Sequence, residues 1–236
     1  MASMNNSIKK RLEKNLNKIF YENGYDVFDV SFSKVPQVTK PIPKFWGGYQ
    51  LEFKVIGHQK TVALSSDVDK MRRNAEVIGP NQKRTFKVEI SKYEYCLGKR
   101  QEDIDGYTVY VYTPEMMALE KLRAICQQTT EYIQAIGKSH QEGRARDFFD
   151  IYVILENFEI DLTTPTNIQL LKDIFSAKNV PLELLGKIRD YREFHQLDFV
   201  VVEETVKQGI KLRSYDFYFD FVIQLCNDLL QILRII

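Results

Sequence analysis

The chain has 236 residues, of which 44% are hydrophobic and 28% are charged. This balance is typical of an ordinary globular protein and excludes the compositionally unusual classes. Thirty-three Lys plus Arg against 32 Asp plus Glu give a formal net charge of +1. The overall charge therefore does not indicate a nucleic-acid or membrane partner, and any electrostatic function must be local.

The cysteine content and the hydrophobic pattern indicate the cellular compartment of the protein. The three cysteines, Cys96, Cys126 and Cys226, lie far apart and show no CxxC spacing. They are predicted to be buried thiols in a reducing compartment. No apolar run reaches the ~18 residues that a membrane-spanning helix needs, and charges occupy the place where a signal peptide has its apolar core. We expect a cytoplasmic protein without a membrane partner.

The first element is predicted to be an amphipathic helix over Ser7–Phe20. Its apolar residues recur at helical spacing, and Asn23-Gly24 provides a C-terminal stop. The polar face carries five cations, which either face phosphates or form a solvated surface. These cations are Lys9, Lys10, Arg11, Lys14 and Lys18.

Short alternating segments follow, rich in β-branched and aromatic residues, and they are predicted to be strands. They are Val27–Phe32, Tyr49–Val55, Thr85–Ile90 and Thr108–Tyr112. In the second of them, Gln50, Glu52 and Lys54 share one face, so this strand has one wet or functional side.

After Thr113 the pattern is helical. Thr113 is a plausible N-cap, Pro114 stands at the first helical position, and a long helix is predicted over Glu115–Ile136. Five more helices are predicted: Ala145–Asn157, Ile168–Ala177, Leu182–Glu193, Val201–Ile210 and Tyr215–Ile235. The predicted domains are an α/β region over residues 1–112 and a helical domain over residues 113–236.

One pair of acids resembles a metal-binding motif. Asp67 and Asp69 flank a single residue, and two such carboxylates at a strand end can hold a divalent ion against the phosphates of a nucleotide. The alternative is a helix that begins here, with Ser66 as its N-cap and the acids in its first turn. That helix would end before Gly79-Pro80. The capped-helix interpretation is favoured.

A second constellation lies in the helical region. Lys121 stands on the long predicted helix, and Asp147 and Asp150 share one face of a later helix. A lysine and two acids on adjoining helices can bind a triphosphate and a metal ion. They can equally form a buried ion pair that fastens two antiparallel helices, and the residues alone leave both possibilities open.

Two further surfaces have open interpretations. Cations concentrated over residues 72–100 form either a local nucleic-acid surface or a solvated edge. They are Arg72, Arg73, Lys83, Arg84, Lys87, Lys92, Lys99 and Arg100. The aromatic C-terminal helix is either core or a docking face for a partner. Its aromatics are Tyr215, Phe217, Tyr218, Phe219 and Phe221.

Two segments resemble the C-terminal signature of the AbiEii/AbiGii toxin family of nucleotidyltransferases, the toxins of abortive-infection toxin–antitoxin systems. They are Glu120-Lys121-Leu122-Arg123-Ala124 and Arg146-Asp147-Phe148-Phe149-Asp150-Ile151-Tyr152. The segments Trp46–Lys54 and Val88–Tyr95 resemble strands from the middle of that fold. The similarity covers most of the chain.

The resemblance implies an α+β fold, with an incomplete polymerase-β-like mixed sheet, flanking helices and a C-terminal helical bundle. It implies transfer of a nucleotidyl group from an NTP, with Mg²⁺, to an RNA or protein acceptor, in phage defence. Lys121, Asp147 and Asp150 are the implied catalytic residues, and Lys121 also contacts phosphate. Arg144 and Arg146 are the nearest further cations for phosphate contact. The implied partners are the nucleotide, the acceptor RNA and an antitoxin or a complementing protein.

The sequence departs from the family at its first motif, a Gly-Ser or Gly-Gly turn followed by Asp-x-Asp. Gly47-Gly48 leads directly into a strand, and Asp67 follows only after that strand. Asp67 and Asp69 are the remaining candidates for the metal ligands, unless a second polypeptide supplies them. The alternative function is an inactive remnant that binds a nucleotide or a partner protein.

Overall fold

The computed structural model describes residues 2–37, 43, 45–137, 140–206 and 211–235, without the side chains of residues 2–6 and 235. The chain forms two compact units, Met1–Lys92 and Tyr93–Ile236. The domain boundary predicted at Thr113 stays a prediction. Among the described residues, no helix combines the length and the apolar content needed to cross a bilayer.

The first unit contains a three-stranded antiparallel sheet with β2 in the centre. Its elements are α1 (Ala2–Glu22), β1 (Tyr25–Val35), β2 (Gly48–Gly57), α2 (His58–Ala63), α3 (Val68–Asn74) and β3 (Phe86–Ser91). The backbone of β3 approaches β2 so closely that a Cβ on Gly48 would lie 2.2 Å from the Ile90 carbonyl oxygen. Only glycine fits that position.

The core of the first unit lies between the sheet and α1. Leu51, Phe53 and Val55 alternate along β2 and are each 4% exposed. Leu12, Leu16 and Phe20 of α1 pack against this cluster at helical spacing. The predicted amphipathic helix and the predicted one-sided central strand are therefore two halves of one small core.

The second unit consists of a β-hairpin followed by helices. The hairpin pairs β4 (Arg100–Ile104) with β5 (Tyr107–Val111). The helices are α4 (Pro114–Cys126), α5 (Thr130–Ile136), α6 (Ala145–Asn157), α7 (Pro165–Ala177), a 3₁₀ helix (Leu182–Tyr191), α8 (Arg192–Gln196), α9 (Phe199–Thr205) and α10 (Tyr215–Ile235). The α+β class with C-terminal helices is confirmed, and both sheets are antiparallel.

The aromatic C-terminal helix packs into the core of this unit. Tyr215, Tyr218 and Phe219 are at most 3% exposed. The Phe219 ring stacks on Phe148 of α6, with ring centroids 5.2 Å apart. The docking-face interpretation of these three aromatics is wrong, because α6 already covers them.

The observed α1 and α7 begin earlier than predicted, and three other predicted helices differ more strongly from the observed ones. The helix expected over Glu115–Ile136 is interrupted after Cys126, because Thr129 caps a new helix through the Tyr132 N–H. The segment expected as Leu182–Glu193 is a 3₁₀ helix followed by the short α8. The helix expected over Val201–Ile210 begins at Phe199, and residues 207–210 lie outside the described part of the chain.

Candidate functional site

A charged cluster joins α4 and α6, and it contains the predicted residues of the second constellation. Lys121 Nζ lies 2.7 Å from Asp150 Oδ2 and 3.0 Å from Asp147 Oδ1. The two acids stand one turn apart on α6, so both face the same amine. The structure therefore brings together the lysine and the two carboxylates that were inferred from spacing alone.

Packing around the cluster explains why these side chains meet. Met116, Leu119 and Leu122 of α4 are completely buried, as are Phe148 and Ile151 of α6. The start of α4 is fixed by Thr113, whose Oγ1 accepts a hydrogen bond from the Met116 N–H at 3.3 Å. Apolar residues on either side thus hold the two helices in register, and the charged residues line one border of their contact.

Two arginines complete the cluster. Arg144 Nη1 lies 3.5 Å from Asp147 Oδ2, and Arg146 Nε lies 2.9 Å from Asp150 Oδ1. Arg146 also donates from Nη1 to Thr205 Oγ1 at 2.8 Å, which ties α6 to α9. With Lys121, three cations face two carboxylates, so the formal charge of the cluster is positive. We call Lys121, Arg144, Arg146, Asp147 and Asp150 the charged cluster.

The side chains of the charged cluster differ in their exposure to solvent. The side chains of Lys121 and Asp147 are 28% and 11% exposed, whereas that of Arg146 is 47% exposed. Burial by itself lowers the pKa of the Lys121 amine, but the hydrogen bond to Asp150 and the charge of Asp147 outweigh it and raise that pKa. Lys121 is therefore a permanently charged group near the base of the cluster, and an anion from solvent meets the arginines first.

The loop before α6 is held by residues that the sequence did not single out. The Arg144 N–H donates to Nδ1 of His195 at 3.2 Å, and the Glu142 N–H donates to Oε1 of Gln128 at 2.8 Å. A Cβ on Gly143 would lie 2.5 Å from the Asp198 Cβ, so this position also needs glycine. His195 is one of three scattered histidines, and no local spacing connects it with Arg144, 51 residues earlier.

The burial of His195 gives a pH prediction. The ring is 1% exposed, and burial together with the Arg144 charge lowers its pKa from 6.5 to about 4. The unfolded chain therefore takes up the proton first, and stability that is complete above pH 6.5 is lost as the pH falls towards 4. From pH 7 to 4, the wild type should lose about 3 kcal/mol more of its unfolding free energy than His195→Asn, measured by urea denaturation.

Gln196→Ala is the matched control for this prediction, because Gln196 is exposed on the same short helix α8 and carries no titratable group. Its pH profile should run parallel to that of the wild type. Parallel profiles for the wild type and His195→Asn would contradict the prediction, since the buried neutral imidazole would then make no difference.

Asp67 and Asp69 have structural roles in the first unit. Asp67 Oδ1 accepts hydrogen bonds from the backbone N–H groups of Asp69 and Lys70, both at 3.1 Å, and so caps α3. These hydrogen bonds, led by that of Lys70, lower the pKa of Asp67. Asp69 accepts from Arg72 at 3.0 Å. The capped-helix interpretation is correct, but the cap is Asp67 rather than Ser66, and the helix ends at Asn74.

In the described residues, the carboxylates that could hold the Mg²⁺ ion implied by the resemblance are bound to other groups of the protein. No group of three or more His, Cys, Asp or Glu in the described ranges is arranged to hold a metal ion. Asp147 and Asp150 are already neutralised by three cations, and Asp67 is occupied by a helix terminus. Asp67 and Asp69 as metal ligands stay a prediction.

Comparison with known proteins identifies the family. Residues 4–220 match the model described as "Nucleotidyl transferase AbiEii toxin, Type IV TA system". Comparison with curated proteins and with solved structures gives no match. The match includes both helices of the charged cluster, and the family belongs to toxin–antitoxin systems, which pair a toxin with an antitoxin. The chain is therefore a member of the AbiEii nucleotidyl transferase toxin family of type IV toxin–antitoxin systems.

Proposed function

We propose that this chain is a toxin that transfers a nucleotidyl group from an NTP to an RNA or protein acceptor in phage defence. We further propose that the charged cluster binds the triphosphate. In this reaction an acceptor oxygen attacks the α-phosphorus, the bond from the α-phosphorus to the bridging oxygen breaks, pyrophosphate leaves, and the acceptor gives up its proton. The residues of the cluster contribute to binding and orientation, and no step here is assigned to a metal ion.

The observation that supports this proposal is the excess of cations over carboxylates in the charged cluster. Guanidinium groups match the geometry of phosphate oxygens and bind them through paired hydrogen bonds. Arg144 and Arg146 are 35% and 47% exposed and are therefore placed to meet the phosphates. Asp147 and Asp150 hold the Lys121 amine in place. The lysine side chain therefore loses little conformational entropy when the nucleotide binds.

The test uses an NTP labelled at its α-phosphate, with cellular RNA and protein as acceptors. Lys121→Ala and Asp147→Asn should each lower the incorporated label by about 10- to 100-fold, the effect of losing one charged hydrogen bond worth about 1.5–3 kcal/mol. Lys187→Ala and Asp190→Asn are the matched controls, because both residues are exposed on the 3₁₀ helix. Unchanged labelling by both cluster variants, with wild-type melting temperatures, would refute the role of the cluster.

A binding module is the second candidate function. It is favoured by the contacts of the acids, because Asp147 and Asp150 are ion-paired with three cations and Asp67 caps α3. The chain would then bind a nucleotide, an antitoxin or a complementing protein without transferring anything. Wild-type protein would give no label under any condition, yet its melting temperature would rise with NTP, and Lys121→Ala would abolish that rise.

A further inference from the structure

The first helix, α1, has two opposite faces. Leu12, Leu16 and Phe20 pack on the sheet, and the side chains directly opposite are exposed. Asn15, Asn17, Ile19 and Glu22 are exposed on α1 outside this opposite face. At about 100° per residue, the other six exposed side chains fall within an arc of roughly 100° that contains no acid. They are Ser7, Lys10, Arg11, Lys14, Lys18 and Tyr21. We call Lys10, Arg11, Lys14, Lys18 and Tyr21 the α1 stripe.

The cations of the α1 stripe differ from Lys54, Lys60, Lys70, Arg72 and Lys87 of the first unit, which are ion-paired. None of the four forms an ion pair with any residue whose side chain the structure describes. Arg72, by contrast, is paired with Asp29 at 2.8 Å, and Lys87 with Glu89 at 2.6 Å. Two cations of the other basic surface considered from the sequence are thus paired, whereas all four cations of the α1 stripe keep their charge available.

The first unit as a whole is strongly basic. Residues 1–92 contain 17 Lys plus Arg and 9 Asp plus Glu, whereas residues 93–236 contain 16 and 23. The net charge of +1 therefore conceals a cationic unit and an anionic one. An unpaired cationic row on a cationic unit attracts polyanions.

An exposed aromatic ring lies at the C-terminal end of the row. Tyr21 is 61% exposed. Its ring meets His58 edge to face, with centroids 5.1 Å apart. An aromatic ring beside a row of cations is the combination with which proteins bind single-stranded nucleic acid, because bases stack on the ring while the cations follow the backbone.

From this arrangement we propose that the α1 stripe binds a single-stranded nucleic acid segment. The backbone phosphates lie along Lys10, Arg11, Lys14 and Lys18, and one base stacks on Tyr21. A membrane surface fits the helix less well, because the apolar face that would enter the lipid is packed on the sheet. This surface belongs to the first unit and does not depend on the transfer reaction, but its natural use is to hold an RNA acceptor.

The test measures the fluorescence anisotropy of labelled mixed-sequence oligonucleotides, one RNA and one DNA, with the full chain and without NTP. For four phosphate contacts, the affinity should fall about 50-fold between about 50 and 200 mM salt. Lys10→Gln/Lys14→Gln/Lys18→Gln should bind at least about tenfold more weakly and lose most of the salt dependence. Tyr21→Leu should weaken binding by at least about fivefold.

The matched control is Lys60→Gln/Lys70→Gln/Lys87→Gln. It removes the same charge from the same unit, but each of these lysines is already paired with an acid. Tyr107→Leu, at an exposed tyrosine in β5, controls for Tyr21→Leu. Equal losses in the stripe variant and its control would overturn the proposal, since only net charge would then matter. Polyglutamate serves as a model of an acidic protein partner. If the stripe variant lost polyglutamate binding but kept wild-type oligonucleotide binding, the proposal would also be overturned. Because no NTP is present, an inactive transferase does not affect the result.

Discussion

Replacing Arg123 by Met is expected to lower the free energy of unfolding by about 3–5 kcal/mol, the cost of breaking a buried ion pair from one side. The Arg123 side chain is 8% exposed. Its Nε donates to Glu120 at 2.9 Å and its Nη1 donates to Gln127 at 2.7 Å. Burial and the nearby Glu94 carboxylate raise the pKa of Glu120, and Arg123 opposes this rise. Without Arg123, the part-buried Glu120 has lost its main counter-ion.

The effect of Arg123→Met extends beyond one ion pair. Gln127 donates in turn to the Tyr132 hydroxyl at 2.9 Å, and that hydroxyl donates to the Lys178 carbonyl oxygen at 2.8 Å. This chain of hydrogen bonds links α4, α5 and the residue that follows α7. The substitution therefore also weakens the turn between α4 and α5.

Chemical denaturation measures the effect, and a double variant provides the control. Arg123→Met/Glu120→Leu removes both charges and should recover most of the lost stability, because an apolar pair of similar volume avoids the cost of desolvating ions. If the double variant were as unstable as Arg123→Met, the loss would come from packing rather than from the uncompensated carboxylate. A stability loss of less than about 1 kcal/mol in the single variant would contradict the prediction.

Phe148→Ala is expected to cost about 3–5 kcal/mol of unfolding free energy through lost burial and the cavity left behind. Phe148 is completely buried on α6. Its ring stacks on Phe219, and its centroid lies 5.2 Å from the ring of His195. Its neighbour Asp147 belongs to the charged cluster, so the substitution should also lower nucleotide binding.

Thermal and chemical unfolding check this prediction. At about 2–4 °C for each kcal/mol, the melting temperature should fall by roughly 10 °C. Phe158→Ala is the control, since Phe158 is 58% exposed just beyond the same helix, and its effect should stay within about 0.5 kcal/mol. Equal melting temperatures for Phe148→Ala and the wild type would contradict the prediction that the buried Phe148 ring stabilises the core.

The outlines of the helices and strands could be predicted wherever the hydrophobic period is clear. The limits of α6 and α10 coincide with those predicted, because both helices carry a regular apolar stripe. The strand β4 was missed, since all its residues are exposed and its composition is charged. The Asp105-Gly106 turn signal was available, however, and Asp103 accepts a hydrogen bond from the Gly106 N–H at 3.0 Å in that turn.

The charged cluster could be predicted in part. Lys121, Asp147 and Asp150 were inferred as site residues because local spacing within a helix indicates which side chains share one face. The role of His195 could not be inferred in this way, because the hydrogen bond that it accepts from the Arg144 N–H spans 51 residues. The catalytic use of these residues and the role of Asp67 and Asp69 with a metal ion stay predictions.

Local spacing in the sequence was enough to determine the α+β class and the helices after Thr113, since these depend on neighbours within one or two turns. The family was inferred from the resemblance of two segments. The tertiary structure decided which interpretation of each ambiguous residue holds. It made the aromatics of α10 into core, placed Asp67 at a helix terminus, and neutralised cations such as Arg72 and Lys87 while it left those of α1 unpaired. The physical reason is that burial and ion pairing depend on residues far apart in the chain. The net charge of +1 shows the same limit, because it reports a sum, whereas an interaction depends on where each charge lies.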